Sequence, residues 1–282
     1  MSKEKIEIAI STCPNDTFAF HGLMSGAVEA EGIEFDFKLL DISQLNAGLL
    51  AGNFDIAKAS FHAAILLADE TVVLPSGSAL GFGVGPLLLA ANPDTVPKSH
   101  SQITMCPGAM TTATLLFKLF YPESTKIQQA IFSEIMPALK TNPPAADFGV
   151  CIHEGRFTWA EQGLSLVEDL GTRWEQETDS PLPLGGILAR RNLPPSTIVR
   201  VQESIQASIK YGMAHRAETL PTMKKYAQEM DDAVVMAHVD LYVNDWTVDL
   251  RPVENSLAVL SKMAKRLGIS TGNQDLEIFT LK

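Results

Sequence analysis

The sequence contains little cysteine and no long apolar run. Among 282 residues there are three cysteines, Cys13, Cys106 and Cys151, odd in number and far apart. This usage predicts reduced thiols and argues against a disulfide framework or a zinc site. No stretch approaches the roughly 20 apolar residues of a membrane-spanning helix. The apolar run Ile6–Ile10 is too short for the core of a signal peptide, so we expect a cytoplasmic protein.

The chain also lacks clustered basic residues. Its formal net charge is −11, from 22 Lys and Arg against 33 Asp and Glu. Nucleic acids and anionic membrane surfaces are bound by grouped Lys and Arg, so neither partner is expected. With 46% hydrophobic and 20% charged residues, the composition is that of an ordinary globular protein. The length suits two lobes and leaves the oligomeric state open.

Strand and helix patterns alternate up to Pro194-Pro195, and helix patterns follow. This order predicts α/β architecture with mainly parallel sheets. The predicted strands are Ile6–Ser11, Ile33–Leu40, Phe54–Ala59, Val72–Pro75, Gly85–Ala91, Gln102–Cys106, Phe148–Ile152, Leu164–Asp169 and Pro181–Arg190. The predicted helices are Asp16–Met24, Ser43–Ala51, Phe61–Ala68, Thr112–Tyr121, Thr172–Thr178, Ser196–His215, Leu220–Met230, Asp232–Val243 and Val253–Leu267, and a strand with a short helix is expected within Phe132–Leu139.

Two apolar strands about a hundred residues apart resemble each other. Gly85–Ala91 and Gly185–Arg190 are each introduced by glycine and proline. Two such strands are suited to carry the chain out to a second lobe and back, with a ligand cleft between the lobes. The predicted lobes are 1–91 with 190–282, and 92–189, and the hinge strands lie near 85–92 and 184–191.

Three loops join a predicted strand to a helix and carry hydroxyl, amide or charged side chains. A helix N-terminus offers N–H groups and partial positive charge, so such loops allow an acidic protein to bind a small anionic substrate. The alternative is that their Ser, Thr and Asp residues only cap helices, as Asp16 is expected to do. The candidate ligand-binding residues in these loops are Asn15, Asp16, Lys58, Ala59, Ser60, Thr111 and Thr112.

The buried strand Phe148–Ile152 runs directly into His153, Glu154, Gly155 and Arg156. In open α/β folds ligands bind beyond the carboxyl ends of strands, and imidazole suits proton transfer near neutral pH. A purely structural histidine is the alternative, and Glu154 and Arg156 are open to pairing with each other. Phe157 stands where a zinc-protease motif needs its second histidine, so no metal site is predicted.

Gly81, Gly83 and Gly85 form no phosphate-binding loop, because the Lys-Ser/Thr ending of that motif is missing. A turn or close packing is the expected reason for these glycines. Gly-x-Ser-x-Gly is also absent, so a hydrolase nucleophile elbow has no support. Trp246, after a long helical segment, is compatible with lining a cleft or with packing between lobes.

Five segments stand out together along nearly the whole chain. The most specific are Cys13–Phe18 and Ile152–Thr158, and the others are Gly85–Leu87, Leu182–Ile187 and His238–Asn244. In this order they resemble the 1,4-dihydroxy-6-naphthoate synthases of the futalosine route to menaquinone. The resemblance implies a two-lobed fold like that of type II periplasmic binding proteins, used inside the cell by an enzyme.

The resemblance also implies a reaction and a set of residues. The family cleaves cyclic dehypoxanthine futalosine as a carbon–carbon lyase, with no metal or organic cofactor. Its proton acceptor corresponds to His153, and its substrate contacts to the segment Lys58–Ser60 and the pair Thr111 and Thr112. Ala109-Met110 replaces residues of more polar character before that pair. Asn15, Asp16 and Arg156 are added from their positions alone.

Two other functions stay open at this point. One is the chorismate dehydratase of the same pathway, which shares the fold. The other is a non-catalytic binding protein for a small carboxylate. Such a protein would need export, for which the sequence shows no signal segment.

Overall fold

The computed structural model describes residues 3–153, 155–227, 231–269 and 274–280. The chain forms two compact units, of which the first is discontinuous. Unit 1 comprises Met1–Gly81 and Pro183–Lys282, and unit 2 comprises Phe82–Leu182. The chain thus passes between units near 81 and 183, whereas the sequence placed the lobe boundaries at 91 and 190.

Unit 1 contains a central sheet and most of the helices. Its strands are β1 Glu4–Ser11, β2 Ile33–Leu40, β3 Ile56–Ser60, β4 Thr71–Val73 and β5 Ala79–Gly81, joined by β11 Leu182–Arg190, which begins at the unit boundary. Its helices are α1 Pro14–Ala19, α2 His21–Met24, α3 Ile42–Leu50, α4 Phe61–Leu66, α9 Pro195–Ala214, α10 Arg216–Tyr226, α11 Asp232–Tyr242, α12 Asp245–Val248 and α13 Glu254–Arg266, with a 3-10 turn at Arg251–Val253.

The sheet of unit 1 has the strand order β2-β1-β3-β11-β4, and β5 also pairs with β11. β1 is parallel to β2 and β3, but β11 is antiparallel to β3 and β4. The prediction of mainly parallel sheets is therefore wrong for this part. A crossover helix would make a strand parallel to its neighbour. β11 has no such connection, because the chain enters it directly from unit 2.

The core of unit 1 forms where alternate apolar residues of these strands meet the long helix α9. Ile6, Ile8 and Ile10 of β1 are buried and cluster with Ile205 and Ile209 of α9. The alternation along β1 and the helical spacing in α9 are the patterns from which both elements were predicted. No helix among the residues that the structure describes is long and apolar enough to cross a membrane.

Unit 2 has its own five-stranded sheet and smaller core. Its strands are β6 Leu87–Ala90, β7 Ile103–Cys106, β8 Lys126–Gln129, β9 Phe148–Cys151 and β10 Ser165–Asp169, and its helices are α5 Thr112–Phe120, α6 Phe132–Leu139, α7 Gly155–Thr158 and α8 Leu170–Thr178. The strand order is β10-β6-β9-β7-β8. β7 is parallel to β8 and β9, while β6 is antiparallel to β9 and β10, so this sheet is mixed as well.

Several predicted secondary-structure elements need correction, among them the following. Phe132–Leu139 is helical throughout, with no strand in it. β8 was not predicted, because Lys126–Gln129 is an exposed edge strand without apolar alternation. The predicted helix Leu220–Met230 begins earlier, at Arg216, and ends at Tyr226, and residues 228–230 lie outside the described residues.

The three cysteines are thiols. Cys106 and Cys151 are buried, and Cys13 is half-buried. Desolvation by burial raises the pKa of the Cys106 thiol to about 12, so this side chain is a neutral core residue at neutral pH. Cys13 lies in the loop between β1 and α1, where the candidate site begins.

Close packing explains Gly85. A Cβ added at Gly85 would lie 2.1 Å from the Cα of Gly171, and a Cβ added at Gly171 would lie 2.5 Å from the Cα of Gly85. The two backbones therefore touch at the start of α8. Gly83 differs: it has φ +71° with no atom within 4 Å of an added Cβ, which is the geometry of a turn. Of the two reasons expected for these glycines, close packing thus applies to Gly85 and a turn to Gly83.

We expect Gly85→Ala to lower the free energy of unfolding by about 3 kcal/mol, because backbone atoms rather than a flexible side chain block the new methyl group. Gly83→Ala is the matched control and costs about 1 kcal/mol, since only its left-handed backbone is unfavourable for alanine. Urea unfolding followed by circular dichroism measures both. Equal urea midpoints for Gly85→Ala and Gly83→Ala would contradict the close contact between the backbones of Gly85 and Gly171.

Candidate active site

The loop after β1 differs from its prediction in one respect. Cys13, not Asp16, is the N-cap of α1, and Pro14 occupies the first helical position. Proline begins helices well because its missing N–H is not needed there. Asp16 therefore lies inside the first turn, where its carboxylate accepts a hydrogen bond from the Ser11 hydroxyl at 2.7 Å. A carboxylate in the first turn is also favoured by the helix dipole.

Asp16 forms a buried ion pair with Lys58 on β3. The Lys58 Nζ lies 2.6 Å from Asp16 Oδ1, and the two side chains are only 5% and 4% exposed. The same Nζ donates to the backbone carbonyl of Gly77 at 2.9 Å. Ala59, the next residue, is buried in β3, where it pairs with Gly186 of β11. The structure thus brings Lys58 and Asp16 together.

Asn15 joins this pair to a distant helix. Its Nδ2 donates to Asp16 Oδ1 at 3.0 Å, and its Oδ1 lies 3.0 Å from Nε2 of His238 on α11. His238 is buried, and its ring lies against Tyr242 with centroids 4.5 Å apart. A hydrogen-bonded network therefore runs from α11 through α1 to β3, entirely within unit 1.

Ser60 ends β3 and precedes α4. Its side chain makes no capping hydrogen bond to that helix. Instead, its hydroxyl accepts from Asn46 Nδ2 at 3.0 Å, and its N–H donates to Asn46 Oδ1 at 2.9 Å. Asn46 lies on α3 and is buried. The paired contacts fix the orientation of both side chains.

In unit 2, the pair Thr111 and Thr112 begins α5. Thr111 is the N-cap, and its Oγ1 accepts from the N–H of Thr114 and donates to the carbonyl of Gly108. Thr111 therefore caps α5, as a threonine before a helix commonly does. Thr112 is buried in the first turn. The N–H groups of a first helical turn have no acceptors within the helix, so this end of α5 is suited to anions.

His153 follows β9 in an unusual backbone conformation. Its φ of +56° lies in the left-handed region, which non-glycine residues rarely adopt. The half-buried ring contacts Phe132 of α6 edge-on, with centroids 4.7 Å apart. A left-handed residue other than glycine costs about 1–2 kcal/mol. Such strain is concentrated at functional sites, where neighbouring structure maintains it.

Arg156, in the short helix after His153, holds three parts of unit 2 together. Its guanidinium donates to the Gly85 carbonyl and to Asp169 Oδ2, both at 2.7 Å. Asp169 also caps α8 by accepting from the N–H of Gly171. Glu154, the other partner considered for this arginine, lies outside the described residues. The observed partners of Arg156 are thus protein groups at the ends of β6 and β10.

The comparisons with known proteins agree with this architecture. A family model described as "Menaquinone biosynthesis" matches residues 6–266. The chain belongs to this menaquinone biosynthesis family. It is 38% identical over 268 residues to the 1,4-dihydroxy-6-naphtoate synthase of Thermus thermophilus, covering 95% of this chain and 96% of that protein. It is 37% identical to the Streptomyces coelicolor protein of the same name, covering 89% of each. The resemblance inferred from the motifs is confirmed, and the protein is an enzyme of menaquinone biosynthesis.

Solved structures confirm the fold. Protein AF1704 from Archaeoglobus fulgidus aligns with a TM-score of 0.87 at 29% identity, over 94% of this chain and 98% of that one. The periplasmic aliphatic sulphonate binding protein SsuA from Escherichia coli aligns with a TM-score of 0.63 at 13% identity, over 100% and 96%. The second likeness concerns the fold alone, which is that of periplasmic binding proteins.

Sequence reasoning missed two features of the candidate site. His238 belongs to one of the motifs behind the resemblance, but its bond to Asn15 had no separate signal. Asp169, the partner of Arg156, was considered only as the end of a strand. Among the residues that the structure describes, no three His, Cys, Asp or Glu side chains are grouped as metal ligands.

Proposed function

We propose that this protein is a carbon–carbon lyase that converts cyclic dehypoxanthine futalosine to 1,4-dihydroxy-6-naphthoate, with His153 as proton acceptor. The observation that supports the reaction is the identity of 38% across 95% of the chain to a protein named 1,4-dihydroxy-6-naphtoate synthase. The family motif around His153 supports the assignment of the base.

The backbone of His153 supports that assignment independently. Its φ of +56° lies in the left-handed region, which residues other than glycine seldom adopt. Backbone strain of this kind is concentrated at functional sites, where the surrounding structure maintains it. The edge-on contact with Phe132 restricts the ring further. Positioned general bases contribute typically 10²–10⁴-fold to a rate.

The proposed step is cleavage of a carbon–carbon bond next to a hydroxyl group. His153 accepts the hydroxyl proton, and the electron pair of that O–H bond forms a carbonyl. The electron pair of the breaking carbon–carbon bond passes to the ring system, which becomes the aromatic phenolate of the product. The imidazolium then returns its proton. Aromatisation supplies the driving force.

Two features within the units are proposed to contact anionic groups of the substrate. In unit 2, the first turn of α5 offers backbone N–H groups and the hydroxyl of Thr112. In unit 1, the ammonium group of Lys58 has three N–H donors, and Asp16 and Gly77 accept from two of them. Donors that the protein already holds in place bind an anionic group of the substrate without a large cost of ordering.

Incubation of the purified protein with cyclic dehypoxanthine futalosine and, separately, with chorismate tests the proposal. Mass spectrometry should detect 1,4-dihydroxy-6-naphthoate only in the first reaction, and heat-unfolded protein serves as the blank. Consumption of chorismate would replace the proposal with a dehydratase. Tight binding of the futalosine derivative with no turnover would indicate a binding protein instead.

A further inference from the structure

The network in unit 1 contains a histidine to which neither the family resemblance nor the proposed reaction gives a role. His238 is only 1% exposed, although histidine is usually found partly in contact with solvent. Its Nε2 lies 3.0 Å from Asn15 Oδ1. A buried imidazole held against an amide at the start of another helix is a specific contact, because its donor and acceptor atoms must match.

The orientation of the Asn15 amide follows from its other partner. Asp16 is a carboxylate paired with Lys58, so its Oδ1 only accepts hydrogen bonds. The Asn15 atom that faces it at 3.0 Å must therefore be the NH₂ group. The carbonyl Oδ1 of Asn15 then faces His238. Since a carbonyl oxygen only accepts, Nε2 of His238 must carry a proton and donate it.

We propose that His238 is a positioning residue for substrate binding, acting through Asn15 and Asp16 on Lys58. Its Nε2–H holds the amide of Asn15, the amide holds Asp16 Oδ1, and that same oxygen accepts from Lys58 Nζ at 2.6 Å. This inference rests on the proposed function of Lys58 as a substrate contact. His238 itself touches neither substrate nor reacting atoms.

The ring of His238 is suited to this task for two reasons. A rigid imidazole has fewer torsions to order than a longer amide or amine, so a fixed donor is obtained at smaller entropic cost. Tyr242, one helical turn later on α11, packs against the ring with centroids 4.5 Å apart and restricts its orientation. An apolar residue of similar size would fill the space but would leave Asn15 Oδ1 without this donor.

The first test does not depend on the reaction. In protein labelled with ¹⁵N-histidine, His238→Gln identifies the signals of His238 by their disappearance. We expect Nε2 to be protonated, and we expect its proton signal to move when Asn15→Ala removes the acceptor. An unprotonated Nε2 in the wild-type protein would overturn the inference, because the Asn15 amide would then have to point the other way.

The second test separates positioning from packing. His238→Leu should raise KM for cyclic dehypoxanthine futalosine about tenfold and change kcat less than about threefold, as expected for the loss of uniform binding. His238→Gln, which keeps an N–H donor, should restore most of the affinity. Val235→Ala removes buried packing on the same helix and should lower Tm without changing KM.

The outcomes distinguish the two proposals. If the wild-type protein does not turn over this substrate, the proposed function fails. The ¹⁵N signals of His238 still test its hydrogen bond to Asn15 in that case. If turnover is found but His238→Leu and Val235→Ala raise KM equally, the role of His238 is only structural and the inference is overturned. If His238→Leu and His238→Gln have the same KM, hydrogen-bond donation by the ring does not contribute to substrate binding and the inference is likewise overturned.

Discussion

His153→Gly is expected to lower kcat/KM by about 10²–10⁴-fold, while the free energy of unfolding stays within about 1 kcal/mol of the wild-type value. The loss of rate follows from removal of the proposed proton acceptor. The small change in stability follows because glycine adopts φ +56° without strain, which offsets the lost contact with Phe132. Activity and stability should therefore separate at this position.

A short series makes this prediction specific. His153→Asn should fold as well as wild type, since asparagine tolerates the left-handed region, and should be as inactive as the glycine variant. His153→Val should lose activity and also unfold at lower urea concentration, because a β-branched residue is strained there. His100→Gly, at an exposed histidine of the same unit, is the control and should keep full turnover.

Kinetics by mass spectrometry and urea unfolding by circular dichroism supply the two measurements. Near-normal turnover in His153→Gly would remove His153 from the mechanism. A glycine variant that is inactive but strongly destabilised would indicate that the imidazole is needed for folding. In that case its left-handed conformation would be maintained for packing rather than for proton transfer.

Much of the fold could be predicted because local patterns in this chain agree with the tertiary structure. Ile33–Leu40 alternates apolar and polar residues up to Leu39 and is a strand with those bounds. Asp231 precedes the apolar pattern of α11 and caps it, as helix-start rules predict. The directions of β6 and β11 could not be predicted this way, because strand pairing depends on where the chain leaves and re-enters a unit.

The candidate site was less predictable, because it depends on contacts between distant residues. Asp16 was expected to cap a helix, since aspartate before an apolar run is a common cap. Its true partner, Lys58, is 42 residues away. Arg156 was considered as a partner of Glu154, yet it binds Asp169, 13 residues later. No local pattern contains such pairs, because the partners are far apart in the sequence.

Lys58→Met is expected to lower the free energy of unfolding by about 3–5 kcal/mol, because it leaves the Asp16 carboxylate buried without its ammonium partner. The surface pair of Lys38 with Glu7 provides the matched control. Its atoms are also 2.6 Å apart, but both side chains are well exposed. Lys38→Met should leave the urea midpoint unchanged within error, since exposed ion pairs contribute little. If Lys58→Met and Lys38→Met shifted the urea midpoint equally, the Asp16 carboxylate would have to be solvated rather than buried.

The double variant that combines Asp16→Asn with Lys58→Met should affect the free energy of unfolding and turnover differently. Removing both charges eliminates the unpaired carboxylate, so most of the lost stability should return. Turnover should not return, because Lys58 is the proposed contact for an anionic group of the substrate. In a chain with net charge −11 and no basic cluster, this buried ammonium is held in place by the carboxylate that neutralises it. Recovery of both stability and turnover in the double variant would show that the pair serves folding only.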